Sequence, residues 1–196
     1  MRIVLYVEGE TERAFRNPLK AFLDGEAGER PRVRLDVRKG VPVTKLAPLV
    51  RDMERDLARP DCRGVVVLVD VYPHFASADE ARAHYATCGP KARFRAHCAL
   101  HDFEAWLLPY WERIHRLAGK VPPKGCPWGV PESVNRVRPP SKVLADLFPA
   151  GNAYRKTLHA PRILEGQDLR VAAEACPQLK AFLSTLLEFA GYDTRL

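Results

Sequence analysis

The sequence has no run of about 18 apolar residues, the length that a membrane-crossing helix requires. Its first residues, MRIVLYV, already follow a strand pattern, and no signal-peptide cleavage region follows them. These two absences predict a protein that works in the cytoplasm without a membrane partner.

The cysteines form no recognisable metal or redox motif. No CxxC pair occurs among the five, which stand far apart at Cys62, Cys88, Cys98, Cys126 and Cys176. A zinc ribbon and a thioredoxin-like motif are therefore excluded. We expect reduced and mostly buried thiols, which is how free cysteine usually occurs.

Three common catalytic signatures are also missing. The sequence contains no GxxxxGK[ST] phosphate loop, no GxGxxG after a strand and no GxSxG nucleophile elbow. The chain is therefore not itself a P-loop ATPase, and neither dinucleotide binding nor a serine-hydrolase mechanism is indicated.

What the sequence does have is an alternation of strand and helix patterns over its first 116 residues. Apolar runs predict strands at residues 3–7, 32–38, 65–70 and 93–100, and the strict alternation of the second favours an edge strand. Helical spacing separates them, with Thr11 as a start, Pro18 as a bend, and Thr44 and Ser77 as caps. This order predicts an α/β fold with a mostly parallel sheet flanked by helices.

A change of composition follows residue 119. Eight of the chain's 17 prolines fall within residues 120–161, so we expect a proline-rich excursion with short helices at 131–137 and 140–148. Helical periodicity resumes near Leu169 and continues to the C-terminus. We therefore divide the chain into an α/β core at 1–118 and a proline-rich basic segment with C-terminal helices at 119–196, packed together as one structural domain.

The excursion is strongly basic. Residues 120–162 contain eight lysines and arginines against two acids, although the net charge of the whole chain is only +7. Trp128, Phe148 and Tyr154 are interleaved with these charges. Such a strip suits a phosphate backbone and stacked bases, but it is equally compatible with an ordinary solvated surface.

Carboxylates follow three of the predicted strands. Glu8, with Glu10 and Glu12, comes after the first strand, Asp70 closes the third, and Asp102 and Glu104 follow the fourth. Parallel strands end at one edge of a sheet, so these side chains are expected to converge there. Converging carboxylates repel one another unless cations neutralise them, and hard oxygen ligands suit Mg²⁺ or Mn²⁺.

Helix capping is the alternative interpretation of some of these acids. Asp102 fits the N-cap of a following helix, and Glu12 fits the acidic first turn that the helix dipole favours. Glu8 and Asp70 are harder to explain in this way, because each stands directly after a fully apolar run. The sequence alone leaves both interpretations open.

Six blocks of sequence, in order, resemble a known family. VEGETE, followed by an aspartate at the end of an apolar strand, resembles the Toprim domain of primases, topoisomerases and overcoming-lysogenization-defect nucleases. VEGETERAF, VVVLVDVY, LHDFEAWL, PESVN, PPSK and CPQLKAFLSTL together resemble the small Toprim-like proteins of the domain of unknown function 4276. The resemblance implies a Toprim-type fold, a Mg²⁺-dependent nuclease and, in bacterial defence loci, a partner ATPase encoded nearby.

The resemblance also implies roles for particular acids. Glu8 corresponds to the Toprim glutamate, and Asp70 to the first aspartate of the DxD pair. Tyr72 stands where the second aspartate is expected, so the sequence departs from the general pattern and one metal position is in question. The HxFE block of the narrower family corresponds to His101 and Glu104, and Glu104 is therefore expected to replace the missing carboxylate.

These matches give the predicted site. The catalytic set comprises Glu8, Asp70, Glu104 and His101, and the Mg²⁺ or Mn²⁺ ligands are Glu8, Asp70, Glu104 and Glu12. The nucleic-acid-binding set comprises Lys142, Lys156, Arg155, Arg138 and Arg136. His97, four residues before His101, is expected to pack or form a hydrogen bond rather than bind zinc, because no HExxH motif surrounds it.

Two functions from different classes remain open at this point. The first is a metal-dependent nuclease that hydrolyses phosphodiesters of DNA or RNA. The second is a catalytically degenerate subunit that binds nucleic acid or docks on an ATPase, which the departure at Tyr72 allows; a hydrolase or phosphotransferase acting on a nucleotide is a weaker third. The sequence does not choose between DNA and RNA, and an oligomer is possible.

Overall fold

The computed structural model describes residues 1–9, 14–136, 138–193 and 196, with the side chains of residues 135 and 136 outside the description. Four strands form its sheet: β1 (Arg2–Val7), β2 (Arg34–Lys39), β3 (Cys62–Asp70) and β4 (Phe94–Ala99). Their order is β2-β1-β3-β4, and every neighbouring pair is parallel. The predicted α/β class is therefore confirmed, and the arrangement is consistent with a Toprim-like fold.

Eight α-helices and three 3₁₀ helices lie in the described residues. The α-helices are α1 (Arg16–Ala27), α2 (Ala47–Leu57), α3 (Ala78–Tyr85), α4 (Trp111–Leu117), α5 (Pro140–Leu147), α6 (Lys156–Leu164), α7 (Leu169–Ala175) and α8 (Pro177–Ala190). The 3₁₀ helices are Phe103–Tyr110, Pro131–Arg136 and Ala150–Asn152. Within the described part of the chain, no helix has both the length and the apolar character needed to traverse a bilayer.

The sheet separates two apolar cores, because successive side chains of a strand point to opposite faces. Ile3 and Leu5 lie in a large core with α1, α7, α8 and the 3₁₀ helix Phe103–Tyr110. Val4 and Tyr6 lie in a smaller core with α2 and α3. Burial on both faces explains why β1 and β3 are continuously apolar in sequence.

The local predictions had mixed outcomes. β2 is an edge strand, and Ser77 caps α3 by accepting a hydrogen bond from the Glu80 N–H at 3.1 Å, both as expected. Thr44 was the wrong cap, because α2 begins at Ala47 after Leu46. Pro18 lies in the first turn of α1, which begins at Arg16, where its missing N–H removes no helical bond. The bend predicted there stays a prediction, because residues 10–13 of the expected longer helix lie outside the described part of the chain. Thr11 lies outside the described residues.

The proline-rich excursion packs on the larger core. Leu144 of α5 and Phe148 are buried in the same core as Ile3 of β1. Glu132, 3% exposed, accepts hydrogen bonds from the indole Nε1 of Trp106 at 2.9 Å and from the Gln178 N–H at 3.1 Å. The carboxylate of the PESVN block therefore ties the excursion to the first turn of α8. These contacts bring the excursion next to the ends of the strands.

Candidate active site

The chain reverses its direction of travel across the sheet between β1 and β3. From β1 it moves outward to the edge strand β2, then crosses back to β3 on the other side of β1. Such a reversal opens a crevice beyond the carboxyl ends of the two central strands, where ligands of open α/β sheets bind. Glu8 follows β1 and Asp70 is the last residue of β3, so both lie at this crevice.

Glu8 and Asp70 are joined through a backbone hydrogen bond. The Asp70 N–H donates to Oε2 of Glu8 at 3.2 Å, although the two residues are 62 positions apart. The other oxygen, Oε1, lies 3.8 Å from Nε2 of His74, and the Glu8 side chain is 28% exposed. The Glu8 carboxylate therefore lies against the end of β3 and still reaches solvent.

The loop after β4 joins the same edge. The Phe103 N–H donates to Oδ1 of Asp70 at 2.9 Å, and the Tyr72 N–H donates to the carbonyl oxygen of His101 at 2.8 Å. These two bonds hold the loops after β3 and β4 together. His101, a predicted catalytic residue, is partly buried at this edge. Three strand ends thus meet at one place, as the sequence predicted.

Glu104 is in a different environment, although it belongs to the same loop. Its side chain is 0% exposed, and its Oε1 lies 3.0 Å from Nζ of Lys156, whose side chain is 46% exposed. Tyr154 Oη donates to the same oxygen at 3.4 Å. Burial, followed by the neighbouring Asp102 charge, raises the pKa of Glu104 to about 7 despite the opposing effect of Lys156. Glu104 is thus an internally paired carboxylate.

Lys156 is surrounded by acids. Burial alone would lower the pKa of its ammonium, but the carboxylates of Glu104, Asp70 and Asp102 outweigh this effect and raise the pKa above its ordinary value. The ammonium therefore remains charged at neutral pH. Its half-exposed position at the start of α6 leaves it accessible from the crevice side of the molecule.

Asp102 occupies the N-cap position of the 3₁₀ helix that follows it, as the capping interpretation expected, but its carboxylate makes no capping hydrogen bond. Instead, Oδ2 accepts a hydrogen bond from the Ser141 hydroxyl at 2.8 Å and another from the Ser141 N–H at 3.3 Å. Asp102 is 3% exposed, and its Oδ1 has no hydrogen-bond partner among the described residues. Burial raises the pKa of Asp102, with the Ser141 bonds acting in the opposite direction. Ser141 of the PPSK block thus donates two hydrogen bonds to this buried acid.

The predicted nucleic-acid-binding residues lie in several environments. Lys156 belongs to the acidic cluster described above. Lys142 and Arg155 are exposed, on α5 and immediately before α6, while Arg138 forms an ion pair with Asp146. The side chain of Arg136 lies outside the described residues. Of these predicted residues, Lys156 therefore lies beside the acids, and Lys142, Arg155 and Arg138 lie on the surface of the excursion.

Two histidines show what the sequence did and did not reveal. His97 forms a hydrogen bond with Thr185 Oγ1 at 2.9 Å and packs edge-on against Phe182, as expected. Burial lowers the pKa of His97 to about 4, so it is neutral at physiological pH. His74 was given no role from the sequence, yet it lies beside Glu8. Its position just after β3 is the signal that would have identified it.

The described residues offer two partly exposed carboxylates for a metal, Glu8 and Asp70. Mg²⁺ is commonly bound through one or two carboxylates, with waters and substrate phosphates completing its coordination, so this pair fits such an ion. In residues 1–9, 14–136, 138–193 and 196, no three His, Cys, Asp or Glu side chains are grouped so that they could hold a metal together. The pairing of Glu104 with Lys156 does not favour it as a third ligand, and Glu12 lies outside the described residues. The metal set stays a prediction.

Comparison with known proteins gives a family without a described activity. A family model whose description is "domain of unknown function (DUF4276)" matches residues 7–187. No curated protein and no solved structure matches the chain. The matched span includes the ends of all four strands and the whole excursion, and it confirms the family indicated by the six sequence blocks. This chain belongs to the DUF4276 family.

Proposed function

We propose that the protein is a divalent-metal-dependent nuclease that hydrolyses phosphodiester bonds of DNA or RNA. The observation that carries this proposal is the meeting of Glu8 and Asp70 at the crevice, where the Asp70 N–H lies 3.2 Å from Glu8 Oε2. Fixed acids on two adjacent strand ends, with one side chain 28% exposed, suit a hard cation, and the cation in turn can bind a phosphate group.

Glu8 and Asp70 would hold Mg²⁺ or Mn²⁺. When bound, this ion supplies charge neutralisation at the phosphate and lowers the pKa of water. The chain itself contributes a positive charge at Lys156, which is fixed by Glu104 and can stabilise the anionic transition state. His74, next to Glu8, and His101, in the adjoining loop, are the candidates for accepting the proton of the attacking water.

Cleavage assays with purified protein test the proposal. The wild-type protein is incubated with single-stranded and duplex DNA and RNA in Mg²⁺ or Mn²⁺, with and without an ATPase encoded nearby. Glu8→Gln and Asp70→Asn should each reduce the cleavage rate by at least about a hundredfold, the range typical for loss of one preorganised charge-stabilising group. Glu29→Gln, an exposed carboxylate remote from the strand ends, is the matched control.

Two results would overturn the nuclease proposal. One is an absence of cleavage with every substrate, metal and partner combination. The other is cleavage that Glu8→Gln and Asp70→Asn leave at the wild-type rate, which would point to a contaminating nuclease. A circular dichroism spectrum and melting temperature close to those of the wild-type protein show that each variant is folded.

A second candidate function is a binding subunit without catalytic activity. Two observations favour it: Tyr72 stands in place of a second aspartate with 59% exposure, and Glu104 is neutralised internally by Lys156. A calorimetric titration with Mn²⁺ separates the two candidates. Absence of Mn²⁺ binding, together with nucleic-acid affinity that falls steeply with salt, would favour the binding subunit.

The cellular setting belongs to the same proposal. All five cysteines are free thiols, and all but Cys126 are buried, which suits a reducing compartment such as the cytoplasm. The resemblance supports a role in bacterial defence with a partner ATPase. Copurification with any ATPase that is encoded beside this gene is the direct test of that association.

A further inference from the structure

Tyr72 is an aromatic side chain exposed to solvent next to the acidic crevice. Its exposed fraction is 59%, and the other large hydrophobic side chains exposed in the described part of the chain are Met1, Val121, Val130 and Val171. Single exposed apolar residues need no explanation in general. The position of this one is what distinguishes it, because it follows Asp70 by two residues.

The backbone on either side of Tyr72 is firmly held. Its N–H donates to the His101 carbonyl at 2.8 Å, which joins it to the loop after β4. The N–H of Phe75 returns to the Val71 carbonyl at 2.8 Å, and Val71 itself is fully buried. Phe75 then packs against His84 and Tyr85, with ring centroids 5.3 and 6.1 Å apart. Tyr72 is thus presented to solvent by a turn anchored on both sides.

An aromatic ring fixed beside a crevice that is proposed to bind a metal ion and a phosphate matches one ligand chemistry in particular. Nucleobases stack on exposed aromatic side chains whatever their sequence, because every base has a π-face. In a duplex these faces are covered by neighbouring bases, whereas the bases of a single strand can be splayed onto protein rings. Lys156, at the same edge of the sheet, adds a positive charge for a phosphate backbone. Because Glu104, Asp70 and Asp102 surround it, a divalent cation must complete the neutralisation.

We propose that Tyr72 is a stacking platform for an unpaired base, and that it directs the crevice towards single-stranded nucleic acid. This inference rests on the nucleic-acid ligand of the proposed function but not on cleavage. Tyr72 stands where the second aspartate of the DxD pair is expected, and its side chain binds a base there instead of a metal.

The test measures binding without cleavage. Fluorescence anisotropy with Ca²⁺ in place of Mg²⁺ follows labelled 12-nucleotide single strands of DNA and RNA and the matching duplexes, and a gel of each sample checks that the strands stay intact. Tyr72→Ala and Tyr72→Leu should weaken single-strand binding about tenfold, within the range that base–aromatic stacking supports. Tyr72→Phe and Tyr72→Trp should stay within about twofold of the wild-type protein, because they keep the ring. Duplex binding should be the same in all five proteins.

Several outcomes would overturn the inference. If Tyr72→Leu binds single strands as tightly as the wild-type protein, a bulky side chain is enough and the ring is not needed. If Tyr72→Phe binds as weakly as Tyr72→Ala, the hydroxyl and not the ring is responsible for binding. An equal loss of single-strand and duplex binding in the Tyr72 variants, or no nucleic-acid binding by the wild-type protein, would also contradict a stacking role for Tyr72. Failure of the cleavage assay with ring-dependent single-strand binding would overturn the nuclease alone.

Discussion

Two pairs of carboxylates lie at the same edge of the sheet, and they differ in burial and in the groups that hold them. We call Glu8 and Asp70 the open pair and Asp102 and Glu104 the buried pair. Glu8 in the open pair is 28% exposed and is held by a backbone N–H. The buried pair is at most 3% exposed and is held by side chains of the excursion: Ser141, Tyr154 and Lys156.

The comparison shows that residue type and position after a strand do not by themselves make a ligand. In the open pair, backbone N–H groups position the carboxylates, and Glu8 is still reached by solvent. In the buried pair, burial raises the pKa of both carboxyls, and Glu104 is already matched to an ammonium. We therefore expect a metal ion at the open pair rather than at the buried pair, which fixes Lys156.

The largest expected effect concerns metal affinity. Glu8→Gln and Asp70→Asn should weaken Mn²⁺ binding by more than about a hundredfold, beyond the 10- to 100-fold typical for loss of an outer-shell partner. Glu104→Gln should change it only a few-fold. Isothermal titration calorimetry at pH 7.5 gives the three affinities. If Glu104→Gln abolishes binding as completely as Asp70→Asn, the distinction between the two pairs is wrong.

The next effect is the pH dependence of stability that arises from Glu104. Its pKa is about 7 in the folded protein against 4.5 ordinarily. The protonated Glu104 carboxyl stabilises the folded state relative to the unfolded state. This contribution to the free energy of unfolding is complete below pH 4.5 and is lost as pH rises through 7. The raised pKa corresponds to about 3 kcal/mol. Glu104→Gln should remove this dependence.

Urea unfolding between pH 4 and pH 8 measures this pH dependence of stability. The free energy of unfolding of the wild-type protein should fall relative to that of Glu104→Gln across this interval. Asp102 and Glu132, whose pKa values are also raised by burial, remain in both proteins and cancel in the difference. Parallel curves for the two proteins would contradict burial of an ionisable group at residue 104.

A smaller effect is expected from removing the ammonium partner. Lys156→Ala leaves Glu104 buried without its cation, and should lower the free energy of unfolding at pH 8 by about 2 kcal/mol. This is less than for a fully buried pair, because the Lys156 side chain is 46% exposed. The loss should shrink at pH 5, where Glu104 is protonated. Lys142→Ala, an exposed lysine of α5, is the control and should change stability by less than about 0.5 kcal/mol. Equal effects of the two variants would show that Lys156 is an ordinary surface residue.

The smallest effect is expected at Ser141. Ser141→Ala removes the 2.8 Å hydroxyl bond to Asp102 but keeps the N–H bond at 3.3 Å. We expect a loss of about 1 kcal/mol, typical of one hydrogen bond. Ser184→Ala, which removes an exposed hydroxyl that donates to the Lys180 carbonyl of its own helix, is the matched control. Urea unfolding at pH 7 compares them, and a Ser141→Ala loss no larger than that of Ser184→Ala would indicate that Asp102 does not depend on the excursion.

Much of the fold followed from local patterns in the sequence. The apolar run before Asp70 predicted a strand buried on both faces, and the alternation of β2 predicted an edge strand. The order of strands and helices was enough to assign Glu8 and Asp70 to one edge, because parallel strands end on the same side of a sheet. Helix starts were less predictable, since α2 begins after Leu46 and not at the cap that the sequence assigned to Thr44.

The sequence by itself therefore determined the class of fold and the edge at which the acids collect, because the period of a strand is local and the alternation of strands with helices favours parallel pairing. Only the tertiary structure decided which acids remain available. Lys156 reaches Glu104 across 52 residues and Ser141 reaches Asp102 across 39. Burial and charge pairing depend on which distant segments pack together, and neither quantity is written in the spacing of the residues concerned.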